Sequence, residues 1–177
     1  MGTVQASFPG FEDLLPPPNI ALFSDDGRYR YLLTREGLGG TRKVMSIGIN
    51  PSTATAEKND PTIRKEVAFA RRDGFGVLVK TNLFGLISPY PEDLLTVADP
   101  VGDNDAVILS NAREVDMVIV AWGNKVKKLV APRAAHVVKM LMDAGIQLYS
   151  YGTNNDGSPK HPLYLPNTTE IVPWSPR

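Results

Sequence analysis

Cysteine is absent from this 177-residue chain, and histidine occurs only at His136 and His161. The first absence excludes disulfides, thiol nucleophiles, thiolate zinc sites and cysteine-bound iron–sulfur clusters. Two distant histidines with no third clustered ligand argue against a metal site. Nothing in the sequence calls for an organic cofactor either, so none is expected. No apolar run approaches the roughly 20 residues that a membrane-spanning helix needs. A surplus of either charge is also lacking, since 19 Lys and Arg stand against 19 Asp and Glu. That balance argues against broad, charge-driven binding to duplex DNA. The stretch Met1 to Glu12 has neither a basic cluster nor an apolar segment and does not read as a signal peptide. A cytoplasmic protein is the simplest expectation.

What is present points to one domain. The hydrophobic fraction is 42%, enough for a real core, and the length suits a single one. Residues 1–27 are rich in Pro and Gly, with Pro16-Pro17-Pro18 among them, and read as an irregular arm. Phe8, Phe11, Leu14 and Leu15 could pack that arm on the body. Residues 28–177 read as a single α/β domain.

Within the body, short apolar runs alternate with amphipathic stretches. Tyr29 to Thr34 reads as a short strand near an edge. Val44 to Ile49, Val77 to Val79 and Met117 to Val120 have the signature of buried strands, and Ile146 to Tyr149 reads as a fourth. Between them, Ile63 to Arg72, Asn104 to Ala112 and Arg133 to Ala144 carry apolar residues at helical spacing. Thr62 is expected to cap the first helix, with Asp60 before it. Strand runs that are apolar on both faces predict a central, mainly parallel four-stranded sheet in a three-layer α/β/α sandwich. Right-handed crossovers then bring the carboxyl ends of the strands to one edge, where such folds bind ligands.

The polar punctuation falls at that edge. Asn50 follows the first core strand and Asn82 the second. Trp122-Gly123 follows the third, and His161 lies in the long loop after the fourth. Pro51 fixes its own φ and holds Asn50 extended, so the Asn50 amide has a set direction and could orient a water. Ser52 and Thr53 offer hydroxyls to a turn or to a phosphate. An amide such as Asn82 presents both a donor and an acceptor, matching the edge of a nucleobase. Phe84 offers an aromatic face for stacking. His161 could donate to a developing oxyanion. Asp60 is the acid placed near the first motif, as a second-rank catalytic or ligand-orienting carboxylate. His136, within a helix, reads as a surface or boundary residue.

These motifs together carry a resemblance. Gly48-Ile49-Asn50-Pro51-Ser52-Thr53-Ala54, Asn59-Asp60-Pro61-Thr62-Ile63-Arg64, Asn82-Leu83-Phe84, Asp99-Pro100-Val101-Gly102, Ala121-Trp122-Gly123 and Gly157 to Tyr164 match a bacterial and phage family known as DUF1643. That family in turn resembles the uracil-DNA glycosylase superfamily. Gly48-Ile49-Asn50-Pro51 is similar to the first motif of the mismatch-specific thymine/uracil glycosylases, whose Asn holds the attacking water. Asn82 matches the place of the base-reading Asn. Val120 to Gly123 resembles the strand carrying Trp-Gly, and His161-Pro162 the His-Pro motif whose His stabilises the departing base. Two departures stand out: Ser52 replaces the usual glycine, and Leu163-Tyr164 replaces the usual Ser-containing loop, leaving Leu163 or Tyr164 as the residue that could wedge a duplex.

The resemblance implies an N-glycosidic hydrolase acting on a nucleobase in DNA or in a nucleotide. The alternative is a non-catalytic nucleobase- or nucleotide-binding module in DNA modification or phage-related nucleic-acid metabolism. The implied catalytic residues are Asn50, His161 and Asp60. The implied binding residues are Gly48, Pro51, Ser52, Thr53, Asn82, Phe84, Trp122, Gly123 and Tyr164. The expected partner is a nucleobase, a nucleotide or nucleic acid.

Overall fold

Strand β3 is Arg42–Gly48. It carries Val44 and Ser46 toward one side and Met45 and Ile47 toward the other, and all four are buried. Strand β4, Phe75–Asn82, lies parallel to it on one flank, and β5, Met117–Val120, lies parallel on the other. Strand β6, Leu148–Ser150, continues the parallel set beyond β5. Strands in the middle of such a sheet are covered on both faces, which is why they read as unbroken apolar runs. These details belong to a computed structural model, which describes residues 19–176. The residues of the arm singled out for packing, Phe8, Phe11, Leu14 and Leu15, lie outside the described residues, as does Pro16-Pro17-Pro18.

The sheet is wider than the four strands expected. It has seven, in the order β1-β2-β4-β3-β5-β6-β7. Strand β1 is Ala21–Phe23 and β2 is Arg30–Arg35, and both run antiparallel at the β4 side. Strand β7, Val172–Pro173, runs antiparallel to β6 at the far edge. Strands of three and two residues are too short for any periodicity to show in the sequence. Strand β1 falls inside the segment read as an arm, and its pairing gives β2 a neighbour on each side rather than an open edge.

Helices cover both faces. Helix α1, Pro61–Arg72, lays Phe69 and Ala70 against Val44, Leu78 and Ile119. Helices α2, Asn104–Arg113, and α3, Lys127–Asp143, lie on the other face. There Ile108, Val137 and Leu141 join Met45, Ile47 and Val120 in the larger core. Helix α3 starts six residues before the expected Arg133, because Pro132 is accommodated inside its second turn rather than at its start. Thr62 does not cap α1. The cap is Asp60, whose Oδ1 accepts from the Ile63 N–H at 2.8 Å, with Pro61 in the first helical position where its missing N–H costs nothing.

With β3 between β4 and β5, the chain leaves β3 toward α1 on one face and leaves β5 toward α3 on the other. The carboxyl ends of β3 and β5 therefore flank a topological switch point, where open α/β sheets leave a crevice.

Candidate functional site

The parallel register sets Gly48 beside Asn82 and Ser46 beside Lys80, all on the α1 face. A Cβ on Gly48 would lie 2.7 Å from Asn82 Oδ1 and 2.9 Å from Lys80 Nζ. Glycine is thus required here by close approach of two polar side chains. Asn82 is 3% exposed, yet its side-chain amide has no hydrogen-bond partner among the described residues. Its backbone, in contrast, is held firmly. Asn104 Nδ2 donates to the Asn82 carbonyl at 2.5 Å, and Arg133 Nε donates to the Leu83 carbonyl at 2.7 Å. Arg133 and His136 both pair with Asp105, at 2.5 and 2.7 Å. His136 thus sits at the surface with Nε2 against Asp105, in keeping with its expected boundary position.

Beneath Asn82 lies a cluster that the sequence reading missed. Lys80 Nζ donates to Glu66 Oε1 at 2.7 Å and to Ser46 Oγ at 3.3 Å. Ser46 Oγ donates to the same Glu66 oxygen at 2.6 Å. Exposure is 1% for Ser46, 1% for Glu66 and 5% for Lys80, so all three are enclosed. Glu66 Oε2 has no partner among the described residues. The signal was present as polar residues in apolar places: Ser46 within Val44 to Ile49, Lys80 directly after Val77-Leu78-Val79, and Glu66 on the inward face of α1 with Ile63 and Ala70.

The loop after β3 is pinned from several sides. Asn50 Nδ2 donates to the Ser88 carbonyl at 2.8 Å and to the Pro51 carbonyl at 3.0 Å. Both amide hydrogens are then occupied, and Oδ1 is left as the free acceptor. Ser52 and Thr53 make no side-chain hydrogen bond among the described residues. The expected local cap is supplied instead by Thr55, whose Oγ1 accepts from the Glu57 and Lys58 N–H groups at 3.3 and 3.1 Å. Arg30 bonds the Ala54 carbonyl, and Arg35 bonds Asn59 Oδ1 at 2.6 Å and the Thr55 carbonyl at 2.5 Å. Burial pushes the Arg30 guanidinium down to about 10, with Asp60 opposing that shift. Asp60 is therefore a buried helix cap near two arginines, with Oδ1 engaged by the Ile63 N–H.

His161 precedes a 3-10 turn, Pro162–Tyr164, and its Nδ1 accepts from the Leu163 N–H at 3.3 Å. In the neutral ring this puts the proton on Nε2. Burial holds the imidazole below its ordinary pKa, and the Lys80 and Lys125 charges push the same way against Glu66 and Asp60. Because the folded state disfavours protonation, this group's contribution to stability is full above the unfolded value of about 6.5 and is lost as pH falls through the folded one. We expect the His161 ring signals in an NMR titration to turn over below about pH 6.5. A midpoint at or above that value would contradict the neutral assignment.

Gly123 follows β5 with φ +72°, and a Cβ there would sit 3.1 Å from His161 Cβ. The residue beside it points elsewhere. Trp122 is buried in the α2/α3 core, edge-on to Trp174 at 5.9 Å, and Phe84 is buried in the same core. Both were expected in the binding set, and both rings are packed in that core. Neither ring offers a face to the α1 side, because residues leaving the strand ends turn their apolar groups into the larger core. A cleft of about 210 Å³ does open beside Trp122, lined by Gly123, Val130, Ala134 and Trp174, and none of Asn50, Asn82 and His161 lines it. Pro51 is buried, and Tyr164 stands 89% exposed beyond His161-Pro162.

The tertiary structure thus brings Gly48, Asn82 and Lys80 together, sets Gly123 against His161, and turns Trp122 and Phe84 into the opposite core. Among the described residues no cluster of three His, Cys, Asp or Glu side chains could hold a metal ion. No described helix is long and apolar enough to cross a membrane. The family model of a protein of unknown function, DUF1643, matches residues 30–163. Neither a curated protein nor a solved structure matches the chain.

Proposed function

Since the chain belongs to the DUF1643 family, we propose that it binds a nucleobase at the carboxyl edge of β3 and β4 and hydrolyses the N-glycosidic bond of that base. One observation carries this reading: Asn82 is nearly buried, held through its backbone carbonyl, and its side-chain amide makes no hydrogen bond among the described residues. A buried amide without partners is costly, and a ligand that supplies both an acceptor and a donor removes that cost. The edge of a pyrimidine or an oxopurine does so.

The other groups then take consistent roles. Asn50 Oδ1 accepts a hydrogen of a water and turns its lone pair toward the sugar C1′. The water oxygen adds at C1′, the C–N bond breaks with its electron pair passing to the base, and the water's proton balances the departing base anion. His161, neutral with its proton on Nε2, stabilises the oxygen on which that charge gathers. The motif resemblance to the uracil-DNA glycosylase superfamily supports this assignment. The balance of 19 basic against 19 acidic residues favours a nucleotide or a locally presented base over a scanned duplex. In DNA the base must first leave the stack.

A second reading is binding without cleavage. It is favoured by one observation: both carboxylates nearest the site are occupied, Asp60 as a helix cap and Glu66 by Lys80 and Ser46. Each thus commits one oxygen to the protein itself rather than to a water at Asn50. A panel of uracil-, hydroxymethyluracil- and mismatch-containing oligonucleotides, single and double stranded, together with free nucleotides, separates the two. Hydrolysis predicts released base in at least one case, abolished in Asn50→Ala and His161→Ala. Binding alone predicts no release, with calorimetric affinity for a base or nucleotide that falls in Asn82→Ala. Equal affinity of that variant and the parent would end both readings.

A further inference from the structure

The cleft of about 210 Å³ beside Trp122 has an apolar side and a charged rim. Val130, Ala134 and Val138 line it from α3, four residues apart and so on one face of the helix. Trp122 and Trp174 line it as well. At the rim stand Lys125, Lys127 and Asp156, all exposed. Lys127 Nζ lies 3.2 Å from Asp156 Oδ2, which leaves the Lys125 charge without an acidic partner among the described residues. Helix α3 also begins here, at Lys127, and its start is bare. The cap position is Val126, whose side chain offers no acceptor, and no acid stands in the first turn. The Lys127 and Lys128 N–H groups have no acceptor among the described residues. Such a helix start attracts an anion. We propose that this cleft binds a small apolar monocarboxylate, with its hydrocarbon body against α3 and the two tryptophans and its carboxylate at Lys125 and the start of α3. The site is separate from the carboxyl edge of β3 and β4 and does not depend on the nucleobase reading.

Size, charge and orphaned groups select that class. The volume falls below the roughly 300–1,000 Å³ of pockets for drug-sized ligands, so the occupant is small. Two lysines against one aspartate leave a single positive charge on the lining, which a carboxylate matches and a phosphate monoester, at about −1.5 to −2, exceeds. The apolar lining lacks partner atoms on the side of the hollow, and a hydrocarbon body supplies them. Trp174 is 8% exposed, and its enclosed indole N–H has no acceptor among the described residues. A buried donor of that kind is costly, and a ligand oxygen brought into the cleft beside it offsets the cost. A structural role for the hollow accounts for neither the bare helix start nor the orphaned indole.

The chain has two tryptophans, and both line this cleft, so tryptophan emission reads its occupancy directly. The test titrates the full chain with phenylacetate, with its neutral counterpart phenylacetamide, and with inorganic phosphate. Phenylacetate is expected to change the emission in a saturable way and to bind about tenfold more tightly than the amide, the margin of a charged over a neutral hydrogen bond. Phosphate alone is expected to leave the emission unchanged. Lys125→Gln is expected to lose about two- to fivefold in phenylacetate affinity, as for one exposed charge at a helix end. Ala134→Leu fills the cleft and is expected to abolish binding, with circular dichroism showing that it is folded. Should it not fold, the exposed Ala135→Leu, which narrows the same cleft, decides in its place. Asn82→Ala is expected to bind phenylacetate as the parent does, since Asn82 does not line the cleft; loss of binding there would place the probe at the other site and overturn the proposal. No saturable response to phenylacetate, equal affinity for acid and amide, or undiminished binding in the cleft-filling variant would each overturn it too, and all of these leave the nucleobase reading standing.

Discussion

Glu66→Ala is expected to destabilise the protein by about 3–5 kcal/mol, the cost of leaving one member of a buried ion pair uncompensated. Glu66 and Lys80 are 1% and 5% exposed, and no described acid other than Glu66 pairs with Lys80. Removing the carboxylate strands an ammonium among Val44, Leu78 and α1, and it also takes away the acceptor of the Ser46 hydroxyl. The companion variant Glu66→Leu/Lys80→Met is expected to recover most of that loss, since two apolar side chains need no pairing. Urea unfolding of both proteins, compared with the parent, reads the difference directly. A single variant within about 1 kcal/mol of the parent would mean that Lys80 is hydrated in solution and the pair is not enclosed.

Gly48→Ala is expected to abolish function with a smaller effect on stability. The added methyl would stand 2.7 Å from Asn82 Oδ1 and 2.9 Å from Lys80 Nζ. Both side chains must move, at an overpacking cost of about 1–3 kcal/mol. A shift of about 1 Å in a positioning group can cost about a hundredfold in rate, so base release or base affinity should fall at least that far. Gly145→Ala is the control. It sits at φ +76° with nothing within 4 Å of its Cβ position, so it strains the backbone without touching the site. Loss of function in Gly48→Ala with activity retained in Gly145→Ala ties the defect to Asn82 and Lys80. Equal behaviour of the two would remove Gly48 from the site.

The parallel strands and the helices between them were legible because buried strands and amphipathic helices each impose a repeating pattern on many consecutive residues. Edge strands β1 and β7 were not, since two or three half-exposed residues carry no period. Asn50, Asn82 and His161 were legible as candidates because each follows a recognisable strand. The capping bond of Asp60 was not legible for a physical reason: an aspartate three residues before a helical N–H is a cap in one geometry and a free acid in another. The inward packing of Phe84 and Trp122 was not legible because the direction of a side chain just past a strand end depends on how the chain turns there.

The opening absences still hold as sequence facts, and with the apolar patterning they determined an α/β chain without thiol chemistry and without a net charge for duplex binding. The tertiary structure alone decided which polar groups meet. Ser46, Glu66 and Lys80 come from three elements and touch only because β3 and β4 pair in one register and α1 lies over them. Hydrogen bonds of 2.6 to 3.3 Å need that register and that helix placement together. Neither is encoded in the spacing of residues along a single segment.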